Sequence, residues 1–209
     1  MPAKKDGRRL FAGMGLIAVI AGSAACGQPR PAGGPAAASM GDVVAAIDSL
    51  SAQDWSISDG DALVQRVVAR SSTAGLQQLA DDGDPRAEVL AGIGLLRGIS
   101  GFRRDPSRAV TEFRASADQN VASGQVMLGY AYENGLGGAP HDQREAVRYY
   151  RLAAGQGDAG GQEALADMVM AGLGGLAPDR AEALRLYRLS ARQGDVHARD
   201  TLRRMDESW

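Results

Sequence analysis

A period of 37 residues runs through the second half of this 209-residue chain and limits what it can fold into more than any other feature. Gly98, Gly135 and Gly172 lie 37 apart, as do Asp105, Asp142 and Asp179, then Ala109, Ala146 and Ala183, then the aromatic series Phe113, Tyr150 and Tyr187. Asp84, Asp158 and Asp195 fall on the same grid with Val121 in the vacant slot, and Gly83, Gly157 and Gly194 with Asn120 as the substitute. Asn shares with Gly a tolerance of left-handed backbone, so that exchange suits the end of a helix. Residues 124–160 and 161–197 align without a gap, and 87–123 is a more diverged copy. Units of this length bury an apolar face only against their neighbours, so the chain is expected to build a stack.

Each unit reads as two antiparallel helices. The second begins at Asp142 or Asp179, with Glu145 or Glu182 three residues on, which is the spacing of a reciprocal capping box. In the diverged copy Asp105 takes the cap and Pro106 the first helical position, where a missing N–H costs nothing. Ala146, Tyr150, Ala153 and Ala154 share one face of a helix ending at Gly157, and the first helix, with Leu128, Gly129 and Tyr132, ends at Gly135. Small residues at 129, 146, 153 and 154 let neighbouring helices approach closely, and Tyr150 fills the remaining gap.

Leu128, Gly129, Tyr132, Gly135, Gly137, Asp142, Ala146, Tyr149, Tyr150, Ala153, Ala154, Gln156, Gly157 and Asp158 together resemble the Sel1-like repeat, a relative of the tetratricopeptide repeat. The resemblance covers residues 87–197 and reaches faintly back to Leu76–Ala80; Leu95 and Val169 stand where Tyr132 would recur. It implies an all-α, right-handed α-solenoid of antiparallel helix pairs. The expected division is an export signal at 1–25, a tether at 26–40, an N-terminal cap with a degenerate repeat at 41–86, repeats at 87–123, 124–160 and 161–197, and a capping helix and tail at 198–209. Val43, Val44, Ile47 and Leu50 make one apolar stripe in the leading segment, and Leu63, Val64, Val67 and Val68 another.

The first forty residues read as an address. Lys4, Lys5, Arg8 and Arg9 precede an uncharged run, Leu10 to Ala25, whose 16 residues fall short of the roughly 18–20 that cross a bilayer as a helix. A basic start, an apolar stretch and small residues before a cut point form a secretory signal. The single cysteine, Cys26, stands at that point after Ser23-Ala24-Ala25. This resembles the bacterial lipoprotein signal and implies lipid attachment at Cys26, with Gly27 directing the protein to the periplasmic face of the outer membrane; the alternative is a soluble periplasmic or secreted product. Arg8-Arg9 also fits twin-arginine export, with Sec export the simpler route. Gln28 to Met40, with three prolines, is a tether.

Chemistry is sparse. One cysteine excludes an intramolecular disulfide framework and a cysteine zinc site, and His141 and His197 have no companion ligands at metal spacing. The glycine clusters at 135–138 and 172–175 lack the Lys-Ser/Thr of a phosphate loop, and there is no nucleophile elbow. Asp81-Asp82 and Asp142/Glu145 sit where helix caps and solvated turns need charge. A net charge of −2 argues against nucleic acid as a partner. Removing 1–25 leaves 19 basic against 24 acidic side chains and no lysine. No catalytic residue, cofactor or metal is expected.

The resemblance implies a non-catalytic scaffold or adaptor binding protein partners in the cell envelope and assisting assembly of a secretion or exopolysaccharide machinery. Glu88, Gln125 and Gln162 recur in register on the first helices and are the expected partner contacts. The alternative is a secreted effector or regulator binding a periplasmic or host protein. A β-lactamase-like enzyme, as in cysteine-rich relatives with a disulfide in each repeat, fits a one-cysteine chain poorly.

Overall fold

The structure is a computed structural model that describes residues 39–50 and 60–208. The export signal, Cys26 and the tether up to residue 38 lie outside the described residues. Ten helices and no strand occur among those described: α1 Met40–Asp48, α2 Gly60–Arg70, α3 Thr73–Asp81, α4 Pro85–Arg97, α5 Pro106–Asp118, α6 Ala122–Asn134, α7 Gln143–Gly155, α8 Ala159–Ala171, α9 Arg180–Arg192 and α10 Val196–Arg204. The pairs α4/α5, α6/α7 and α8/α9 are the three repeats, each packed tightly within itself and against the next pair. The all-α stack expected from the period is what forms.

The caps explain why each helix begins and ends where it does. Asp84, Asp158 and Asp195 start the first helices by accepting from backbone N–H groups one turn in, while Val121 leaves α6 without a side-chain cap. Asp105, Asp142 and Asp179 do the same for the second helices. Gly98, Gly135 and Gly172 close the first helices in left-handed conformation, and Asn120 takes φ 62° where Gly83, Gly157 and Gly194 stand elsewhere. The reciprocal half of the expected capping boxes is missing. Glu145 and Glu182 accept instead from Arg148 and Arg185, because an arginine one turn ahead offers a charged donor in place of a backbone amide. Ser39 and Asp42 form the full box, at the start of α1.

The core runs from Val43 on α1 through Leu63, Leu76, Leu90, Phe113, Leu128, Tyr150 and Met168 to Leu202 on α10, all fully buried. Phe113 and Tyr150 lie over Gly92 and Gly129; a Cβ at Gly129 would come within 2.7 Å of the Tyr150 ring. The loop of one repeat seats on the second helix of the repeat before it in the same manner twice, with Gly137 against the Pro106 carbonyl and Gly174 against the Gln143 carbonyl. The stripes of α1 and α2 supply Val43, Ile47, Leu63, Val64 and Val67 to the same core.

The first helices touch one another directly, α4 with α6 and α6 with α8, whereas the second helices make hardly any contact among themselves. The first helices therefore line the inner side of the stack. On α4 that side is covered: α2 crosses it, with Gly60 against Ile93, and Asp61 pairs with Arg97. It opens from α6 onward.

Candidate functional site

The uncovered inner side holds a hollow of about 330 Å³ built by three successive first helices. Tyr130, Glu133 and Asn134 come from α6, Gly160, Glu163 and Asp167 from α8, and Asp195 and His197 from the start of α10. Tyr150 reaches it from α7 and donates its hydroxyl to Glu133 Oε2 at 2.7 Å. One repeat further, the Tyr187 hydroxyl donates to an Asp167 carboxylate oxygen. The two tyrosines thus do more than fill the gap between helices, since each fixes an acid of the hollow from below. Burial and the bond to a carboxylate push both phenols well above the usual tyrosine range.

No arginine lines this hollow, and His197 is its one basic side chain. Glu163 has no hydrogen-bond partner among the described residues. Burial is the main reason its carboxyl is pushed up to about 8, and Asp167, Asp195 and Glu133 add like charge. Asp195 is committed to the N-cap of α10, where it accepts from Ala198 N at 2.7 Å. The hollow thus gathers four carboxyl groups with His197 alone among its lining to offset them, and Glu163 answers that crowding by holding its proton at neutral pH.

The residues expected to meet a partner lie elsewhere. Glu88, Gln125 and Gln162 are only 4%, 2% and 6% exposed. The structure turns them into joints within each repeat, between its first helix and the end of its second, where Gln119, Gln156 and Gln193, each one residue past a second helix, donate to them at 3.1, 2.8 and 2.9 Å. The same glutamines also reach the turn before each first helix, at Gly83 O, Asn120 Oδ1 and Gly157 O. The expectation of a contact surface at 88, 125 and 162 is therefore corrected: a polar group that recurs in register between the two helices of each repeat is a brace, satisfied and shut off from solvent.

The hollow was missed for the complementary reason. Its residues sit where the repeat breaks down: Val89, Val126 and Glu163 share one grid position, Ile93, Tyr130 and Asp167 another, and Leu96, Glu133 and Met170 a third. The apolar members of the first repeat are buried, Ile93 against Gly60 of α2, and the polar members of the later repeats line the hollow. His141 is exposed in its loop, as expected, while His197 joins the rim of the hollow. Asp81 is bonded to Arg108 and Asp82 to Gln78, so neither forms an acid–base pair. Among the described residues no group of three His, Cys, Asp or Glu side chains is placed to hold a metal ion, and no helix is long and apolar enough to cross a membrane.

No curated protein matches the chain by sequence. Solved structures do match. A Sel1 repeat protein from Oxalobacter formigenes superposes with a TM-score of 0.55 at 21% identity, over 66% of this chain and 46% of that one. A protective antigen present in uropathogenic Escherichia coli strains, displaying an SLR fold, gives 0.59 at 25% identity over 78% and 35%. Helicobacter pylori cysteine rich protein B gives 0.51 at 23% identity over 62% and 94%. This chain thus spans less than half the length of the first two. The Sel1 repeat model matches residues 85–121, 122–158 and 159–195, the same 37-residue register begun two residues earlier than the sequence grid suggested, at the helix starts themselves. Three matched units that together make up just over half of the chain, with their helix pairs, caps and glutamine braces in place, establish that this chain belongs to the Sel1 repeat family.

Proposed function

We propose that this chain is a protein-interaction scaffold of the bacterial envelope, and that it engages its partner through the open inner side of repeats two and three. The observation that carries the reading is the hollow at Glu133, Glu163 and Asp167, an acid-lined depression without an arginine in its lining, where Glu163 keeps its proton up to about 8. A basic side chain of an extended or helical partner segment is the group that such a depression complements. Sel1 repeat architecture supports the scaffold role, since a stack of helix pairs offers a broad rigid surface and no reactive constellation. The resemblance of residues 1–26 to a lipoprotein signal supports anchoring through Cys26 at the outer membrane, with the tether carrying the stack clear of the lipid. Assistance to a secretion or exopolysaccharide machinery extends that reading by the same resemblance.

Photo-crosslinking residues introduced in cells at Tyr130 or Asn134, against control positions on the outer side such as Leu152, test the surface. Discrete adducts from the inner positions, lost on Glu163→Gln with Asp167→Asn, are expected. Equal labelling from both sides would refute it. Fractionation of the wild type against Cys26→Ser tests the address independently: recovery of the wild type in soluble culture medium would sink the anchored reading while leaving the inner surface in place.

A further inference from the structure

The three braces that close the repeats are built alike but not of the same chemistry. In two of them the acceptor is an amide, Gln125 or Gln162; in the first repeat it is the carboxylic acid Glu88. The amide slot serves both ways where it is fully occupied: Gln125 accepts from Gln156 at 2.8 Å and donates its own Nε2–H to Asn120 Oδ1 at 2.9 Å. A carboxylate accepts only, whereas a protonated carboxyl accepts and donates as the amide does. Glu88 is as buried as the two glutamines.

Its neighbours offer no cation. Asp84 caps the same helix, and α5 brings Glu112, whose partner is Arg108. That arginine is shared with Asp81 at the end of α3, where Asp82 is held by Gln78. On α2, Asp61 pairs with Arg97 at the far end of α4; Arg66 and Arg70 lie further along α2, with Arg70 bonded to Ser49. Arg86, on the first turn of α4, is bonded to Asp48 of α1. The sole charged residue of α6, Glu133, stands in its last turn against Tyr150.

We propose that Glu88 is a proton-operated joint: protonated, it fits the slot as its glutamine counterparts do, and ionised, it loosens the closure of α4 on the end of α5 within the first repeat. Burial, with Glu112 and Asp84 adding like charge, holds this carboxyl above the usual glutamate value of 4.5, and the bond from Gln119 offsets that only in part. A folded state that holds the proton more tightly than the unfolded chain loses stability as pH rises from 4.5 through its raised folded value. Below that window the penalty is absent, and above it the penalty is complete. The inference is independent of the partner reading, since Glu88 is no part of the inner surface.

Urea unfolding of the full chain, followed by circular dichroism from pH 4 to pH 8, tests it with Glu88→Gln. The variant's folding equilibrium constant is expected to exceed the wild type's at pH 8, by about tenfold for each unit that separates the folded and unfolded pKa values, and to converge with it at pH 4. Gln125→Glu is the converse: the second joint acquires the same loss at high pH. A Glu88→Gln difference that does not change with pH, or that has the variant less stable at pH 8, overturns the proposal. So does a Gln125→Glu protein as stable at pH 8 as at pH 4.

Discussion

Replacing Gln156 by Ala removes one side chain on the surface and strands another in the interior. The Gln156 Nε2–H groups reach Gln125 Oε1 at 2.8 Å and Asn120 Oδ1 at 3.3 Å. Asn120 is exposed and rehydrates without cost, whereas Gln125 is buried and loses its donor. A buried acceptor left unsatisfied costs about 1–3 kcal/mol. Gln156 is itself exposed, so water entering from its side brings the expected loss to about 1–2 kcal/mol. With a urea slope of roughly 2 kcal/mol/M, the midpoint falls by about 0.5–1 M. The decisive arm is the background. In a Gln125→Leu protein there is no acceptor to strand, and Gln156 can turn to solvent, so Gln156→Ala there costs less than about 0.5 kcal/mol. Urea titrations of the four proteins measure the cycle. An equal cost in both backgrounds, or none in the wild type, would refute the account of the glutamines as a brace.

Three further outcomes follow from particular contacts. Tyr150→Phe keeps the ring under Gly129 but deletes the bond to Glu133, and thermal unfolding should register a loss of about 1.5–3 kcal/mol, the range for a hydrogen bond to a charged group. Gly137 and Gly138 both have left-handed φ, 55° and 85°, yet a Cβ meets the Pro106 carbonyl at 137 and open space at 138. Gly138→Ala should cost about 1 kcal/mol by conformation alone, and Gly137→Ala at least twice that by chemical denaturation. Glu163, held near 8, takes up its proton more readily folded than unfolded, so stability declines as pH rises from 4.5 to about 8. Glu163→Gln should match the wild type below pH 4.5 and exceed it at pH 9, as differential scanning calorimetry at the two pH values would show.

Most of the fold could be read from one chain because a stack repeats its own constraints. The caps at Asp105, Asp142 and Asp179, the left-handed ends at Gly98, Gly135 and Gly172, and the ring of Tyr150 over Gly129 each follow from backbone or steric need, and such needs recur every 37 residues. The crossing of α2 over α4 was not legible, because it involves a helix outside the period. Nor was the pairing of Glu145 and Glu182 with arginines, where two satisfactory partners compete and sequence spacing favours neither.

The misplacement of the contact surface has a more general cause. Glu88, Gln125 and Gln162 attracted notice because they recur, yet recurrence in a solenoid records what every joint needs, and every joint needs its polar groups paired. A partner surface has no reason to obey the period, since the partner does not repeat with it. The informative positions are those where the grid fails on the side that packing leaves open. At 163 an acid stands where Val89 and Val126 would predict an apolar residue, and at 167 another where the series begins with Ile93. Neither change helps the stack: Glu163 is half-buried among like charges and raised to about 8, a local cost that valine would not incur. A residue that weakens its own fold at an open site, in a chain that otherwise repeats its packing from unit to unit, is best accounted for by something outside the fold that it contacts.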